Sequence, residues 1–150
     1  MIVVDASVLI KLFKDEVDSP AALALVDQVV EERSGLLAPT IAMYEALTAA
    51  LHVDYPLASV HTLFAWLTTV GLELLPPSAE DIAIAERIAR TRARGGGFPT
   101  LYDSIYHAMA IRLGCDFVTA DIKHIAKAAG FGNILSLADW SRTRATPPRS

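Results

Sequence analysis

Short apolar runs alternate with segments of helical period along the whole chain, and few folds satisfy that pattern. Ile2-Val3-Val4 is wholly apolar and too short for a helix, the kind of strand that is buried on both faces of a parallel sheet. Leu36-Leu37-Ala38, Leu72-Glu73-Leu74-Leu75, Phe117-Val118-Thr119 and Ile134-Leu135-Ser136-Leu137 read as four more strands. Between them, helices are expected over roughly Ser7–Lys14, Pro20–Glu32, Thr40–His52, Pro56–Thr69, Ser78–Arg92, Thr100–Leu113 and Ile122–Ala129. Pro39-Thr40 and Pro99-Thr100 are start signals, and Gly71, Gly114 and Gly130 are candidate stops. Alternation of this kind predicts an α/β fold, a parallel sheet with helices on both sides.

A chain of 150 residues makes one domain and can bury a full core. The domain is expected over residues 1–141, with a flexible Pro/Arg/Ser tail over 142–150 and a hinge at Gly95-Gly96-Gly97. No apolar run approaches the ~20 uncharged residues that a membrane span needs. No basic lead-in precedes the first strand, so a signal peptide is not expected and the chain reads as cytoplasmic. The single cysteine, Cys115, excludes a disulfide framework and a Cys-rich zinc site. Apolar residues make up 53% of the chain, a surplus that points to a partner or to self-association.

A net charge of −4 argues against a general nucleic-acid binder. The basic residues nevertheless cluster, at Arg87, Arg90, Arg92 and Arg94 and again at Arg142, Arg144 and Arg149. Each cluster fits phosphate contact or simple solubilisation. Arg90 to Gly97 is a candidate RNA-backbone clamp, since guanidinium groups pair with phosphate and the glycines let the loop adapt.

Open α/β sheets form their sites at the carboxyl ends of the strands. Asp5 directly follows the first strand and Asp121 follows the Phe117–Thr119 strand. Asp103 lies in the first turn of the Thr100 helix, and Glu45 lies in the helix after the second strand. Each acid has an ordinary alternative. Asp5 and Asp121 could cap helices, Thr100 and Asp103 have the spacing of a capping box, and Glu45 could belong to a solvated stripe. Together they suggest a convergent anionic site, where one group must take up a proton or a cation must bind. Oxygen donors suit Mg²⁺ or Mn²⁺ rather than zinc, and such ions serve phosphodiester hydrolysis.

These residues resemble a known pattern. Val3-Val4-Asp5-Ala6-Ser7-Val8-Leu9, Glu45 in the helix after Pro39, Leu101-Tyr102-Asp103-Ser104-Ile105 and Val118-Thr119-Ala120-Asp121 follow the PIN-domain order, from Met1 to about Trp140. Length and spacing most resemble the VapC-type toxins of toxin–antitoxin pairs. The resemblance implies a three-layer α/β/α sandwich with a five-stranded parallel sheet and a Mg²⁺- or Mn²⁺-dependent endoribonuclease acting on RNA. It makes Asp5, Glu45, Asp103 and Asp121 the catalytic, metal-binding acids. Ser7 and Thr119 would orient carboxylates or water. It also implies a homodimer inhibited by a small antitoxin.

Some relatives carry a further acid shortly after the Asp121 position. Here the run is Ile122-Lys123-His124, which leaves one or two ions open. His107, one helical turn after Asp103, could reach the site or simply pack. A phosphatase-like reading of Asp5 fails because Ser7 stands where its second acid is needed. A PIN-like RNA-processing nuclease outside a toxin–antitoxin pair and a silent binding module remain as alternatives.

Overall fold

Val3 and Val4 are adjacent in β1 (Ile2–Val4), so their side chains point to opposite faces, and both are fully buried. Phe117 and Val118 in β4 (Asp116–Thr119) behave the same way, so the centre of the sheet is covered on both sides. The structure, a computed structural model, describes residues 1–145. Five parallel strands stand in the order β3-β2-β1-β4-β5, with β2 at Leu36–Pro39, β3 at Leu72–Leu75 and β5 at Ile134–Ser136. The α/β fold expected from the alternation is the one observed.

Helices α1 (Ala6–Ile10), α2 (Ser19–Glu32), α3 (Ile41–His52), α4 (Leu57–Thr69), α5 (Ala79–Arg90), α6 (Leu101–Leu113) and α7 (Ile122–Ala128) fall where helical period predicts them. The first is shorter than expected, because the chain leaves it in a turn that Lys11 ties to Glu16 and Asp18. Leu137, read as the end of the last strand, opens an eighth helix, α8 (Leu137–Ala145). There Ser136 Oγ accepts the Asp139 amide, and Leu137 and Trp140 are buried. Residues 142–145 of the expected tail thus continue α8, and the remainder of the tail lies outside the described residues.

Helix α6 packs on β1, β2 and β4, which makes it the beam under the sheet centre. Thr100 caps its start, accepting the Asp103 amide at 3.2 Å, and Gly114 ends it in the left-handed region at φ 64°. Tyr106 and Met109 are wholly buried, and the Tyr106 ring stacks on Phe117 with centroids 5.7 Å apart. Helix α5 begins with a reciprocal Ser78–Asp81 capping box. The same Asp81, fully buried, receives Arg112 of α6 at 2.7 and 3.2 Å, which fastens α5 to α6. No helix among the described residues is long and apolar enough to cross a membrane.

Candidate metal centre

The strand order sets the position of the site. From β1 the chain runs outward through β2 to β3, then returns to β4 on the other flank of β1, so direction reverses between β1 and β4. A crevice opens at the carboxyl ends of strands at such a reversal. Val4 pairs with Val118 there, and the residues that follow carry Asp5 and Asp121 to the same edge.

Asp5 is the most enclosed of the acids, only 4% exposed. It stands at the start of α1, yet its side chain caps nothing. Instead Ser7 Oγ donates to Asp5 Oδ2 at 2.7 Å and Thr119 Oγ1 donates to the same oxygen at 2.5 Å. Neither hydroxyl engages Oδ1. Burial pushes the Asp5 carboxyl up to about 6; the two hydroxyls pull it down, and the charges of Asp103 and Glu45 raise it again. No lysine or arginine among the described residues forms an ion pair with it. Ser7 Oγ also accepts the Ala120 amide and Thr119 Oγ1 the Asp121 amide, so both hydroxyls stitch the β1 edge to the β4 edge.

The other three acids come from three different elements. Glu45 projects from α3 and its Oε2 accepts the Tyr106 hydroxyl at 2.5 Å. Burial raises its pKa, the Tyr106 bond lowers it and Asp103 raises it. Asp103 is raised by burial, lowered by the Thr100 hydroxyl that donates to it at 2.6 Å, raised by Asp121 and lowered by Lys127. Asp121 caps α7, its Oδ1 accepting the amides of Lys123 at 2.8 Å and His124 at 3.3 Å. Thus the capping roles considered for Asp103 and Asp121 are real in part, while that for Asp5 is absent. Asp103 and Asp121 line one small cleft of ≈ 80 Å³ with Lys123, His124 and Lys127.

Among the described residues, no three carboxylate, imidazole or thiol groups converge closely enough to share one ion. Glu45, Asp103 and Asp121 are each held by a hydrogen bond of their own, and like charges keep their distance. The donor set still fits a hard divalent cation in kind. It consists of carboxylate oxygens, three of them raised by burial and by one another, around a buried Asp5 that lacks a counter-charge.

His107 does not turn to the carboxylates. Its Nε2 meets the Gly132 carbonyl at 2.6 Å and its Nδ1 meets His124 Nε2 at 3.2 Å, in a fully buried position. The arginines lie apart from the acids. Arg90 pairs with Glu86 at 2.8 Å, and Arg92 and Arg94 line a groove on the far side of Lys127. The glycine run between them and α6 forms a closed turn, with Ala93 and Gly97 bonded at 3.0 Å, rather than a loose hinge. Two residues beside the acids, Tyr106 and Lys127, have no motif to mark them in the sequence. Tyr106 lies one turn after Asp103, a position that could have flagged it, but nothing in the sequence announces Lys127.

No curated protein sequence matches the chain. Among solved structures it is similar to FitAB bound to an IR36 DNA fragment, with a TM-score of 0.65, 16% identity and coverage of 91% of this chain and 95% of that one. It is also similar to the Mycobacterium tuberculosis toxin VapC20, at 0.63 and 16%, covering 87% and 95%. VapBC2 from Rickettsia felis, bound to a promoter DNA fragment, matches at 0.63 and 14%, covering 91% and 97%. Likeness at these identities shows a common fold. A family model described as the PIN domain matches residues 2–130, which takes in all four acids and both stitching hydroxyls; the chain belongs to the PIN-domain family.

Proposed function

We propose that the protein is a Mg²⁺- or Mn²⁺-dependent endoribonuclease of VapC type, the toxin of a toxin–antitoxin pair, formed by a single domain that takes in α8. The observation that carries this reading is the buried, uncompensated Asp5 carboxylate, charge-coupled to Glu45 and Asp103. A buried carboxylate without a counter-charge is expensive to keep ionised unless a cation joins it.

Asp5, Glu45, Asp103 and Asp121 would supply the metal's oxygen donors, which have to draw together from the separate positions that their own hydrogen bonds give them here. When bound, such an ion orients and acidifies a water and stabilises the leaving oxygen of a phosphodiester. The chain's own groups prepare the site. Ser7 and Thr119 fix Asp5 through Oδ2 and leave Oδ1 outside these two bonds. Tyr106 and Thr100 fix Glu45 and Asp103 in the same manner, with donors that favour the ionised carboxylates.

The similar structures support the biological side of the proposal. VapC20 is described as a sarcin–ricin loop cleaving toxin, and VapBC2 as a complex bound to a fragment of its own promoter. A small antitoxin and a homodimer also suit the apolar residues left exposed on α3 and α4, among them Tyr44, Leu51 and Trp66.

The test is cleavage of a mixed RNA pool by purified protein with Mg²⁺ or Mn²⁺, against EDTA and Asp5→Asn. Metal-dependent cutting that the substitution abolishes supports the proposal. A folded wild type that cuts nothing, free of any co-purified inhibitor, favours the silent binding module instead. RNA cutting without a small partner gene alongside would favour the RNA-processing alternative.

A further inference from the structure

We propose that the groove between the Thr91–Arg94 segment and α7 is a binding track for single-stranded RNA, entered at Lys127 and leaving the carboxylate cleft on one side only. It rests on the nuclease reading above and specifies how the substrate would lie.

Lys127 carries the continuity. Its side chain lines the small cleft with Asp103 and Asp121, and it also lines a neighbouring groove of ≈ 480 Å³ with Arg92, Arg94 and Phe131. Through Thr91 and Phe131 that groove runs on into a second, of ≈ 560 Å³, which Arg87 and Arg90 border. Arg90 is held by Glu86. Arg87, Arg92, Arg94 and Lys127 form no ion pair among the described residues, so their charges are available to a polyanion. Because Lys127 lines that cleft beside Asp103 and Asp121, a phosphate held by its ammonium would lie next to the acids.

The groove beside Glu45 offers a phosphate less. Ile41, Tyr44, Thr48, Ala49, His52 and Tyr102 line it with Glu45, and it has no lysine or arginine. A chain of phosphates is therefore held on the Lys127 side. The closed turn ending at Gly97 sets that wall: Gly97 sits at φ 74°, and a methyl group there would stand 3.7 Å from Lys127 Cε. The arginines thus flank a shaped turn rather than a loose loop.

Phe131 decides the strandedness. It is half-buried, braced edge-on by His107 at 6.3 Å, and borders both grooves between the cationic groups. An aromatic ring among phosphate-binding cations suits stacking by an unpaired base, whose face a duplex conceals.

The test is binding of a labelled oligouridylate, alone and annealed to oligoadenylate, by the full-length protein in EDTA, followed against salt. The wild type should prefer the single strand. Combined Lys127→Gln, Arg92→Gln and Arg94→Gln should flatten the log–log salt slope by about 2, at ~0.7 for each phosphate that is no longer neutralised. Phe131→Ala should weaken single-strand binding by roughly tenfold and narrow the preference over duplex. Salt slope and preference unchanged in these variants would overturn the track. Because the readout needs no metal, a wild type that binds in the expected way yet cuts nothing overturns the nuclease reading and leaves the track standing. Cutting by wild type with undiminished affinity in the variants does the reverse.

Discussion

Thr119 Oγ1 donates to Asp5 Oδ2 at 2.5 Å across 114 positions of sequence, and with its other side accepts the Asp121 amide. One hydroxyl at the end of β4 therefore orients the acid that follows β1 and the loop that carries the acid after β4. Ser7 repeats the arrangement from the β1 side, bonding Asp5 and the Ala120 amide. The crevice edge is a small hydrogen-bonded frame built around one buried carboxylate.

Replacing that carboxylate by an amide should separate stability from function. Asp5 is raised to about 6, so keeping it ionised near neutral pH opposes folding by roughly 3 kcal/mol, at 1.36 kcal/mol per unit. Asp5→Asn keeps an oxygen for Ser7 and Thr119 and removes the charge. Metal-free Asp5→Asn should melt above the metal-free wild type, and saturating Mg²⁺ should narrow the gap by stabilising only the wild type. A lower melting temperature for the variant in EDTA would show that the charge is compensated in the fold.

Thr119→Val keeps the shape of a buried side chain but strips both bonds from it. Stability should fall by about 1–3 kcal/mol, since a carboxylate and a backbone amide both lose a partner. The Mg²⁺ concentration for half-maximal cleavage should rise by roughly 10- to 100-fold, as for other groups that orient metal-binding acids. Thr119→Ser should restore most of it. Equal metal dependence in the Val and Ser variants would count against an orienting role.

The pair His107 and His124 should make stability fall in mild acid. Burial lowers both rings, and His124 is carried down to about 4 by burial and then by the neighbouring His107. Each folds neutral, so unfolding takes up protons once the pH drops below the ordinary imidazole value of ~6.5. Their contribution is complete above that value and is lost as the pH falls towards about 4, by up to roughly 3 kcal/mol for His124. Asp5 acts in the opposite sense, because its folded pKa is raised and stability is gained as the pH falls through about 6. Urea unfolding of Asp5→Asn near pH 7 and near pH 4.5, beside Asp5→Asn with His124→Gln over the same interval, separates the histidine effect from the raised carboxyls of Glu45 and Asp103, which gain stability as the pH falls. An equal change of midpoint in the two variants would mean that the His124 ring is not held neutral.

Arg112→Met should loosen α5 from α6. It leaves Asp81, fully buried, with only the Ser78 groups as partners. A loss of about 2–3 kcal/mol is expected, short of the largest values for buried pairs because Arg112 is itself partly exposed. Adding Asp81→Asn should recover part of the loss. A double variant that melts no higher than Arg112→Met would place the effect in lost packing of the arginine stem.

The strands were legible because each is a short apolar run with helical period on either side, and such runs have one low-energy use, the middle of a covered parallel sheet. Helix α8 was not, since Leu137 extends an apolar run and only the Ser136 cap on Asp139 starts a helix there. The positions of Asp5 and Asp121 at the sheet edge followed from their place after strands. The partners of the acids did not. Tyr106 reaches Glu45 across 61 positions, and such a contact has no local signature.

Sequence by itself determined the period, the order of strands and helices and the elements that carry the acids, because backbone geometry converts local patterning into local structure. Tertiary structure decided that β1 and β4 lie side by side, that two hydroxyls close on Asp5, that His107 turns away to His124, and that Lys127 stands between the acids and the arginines. Those relationships depend on which distant segments the packed core brings together, and on the burial that raises a carboxylate only after folding has excluded water around it.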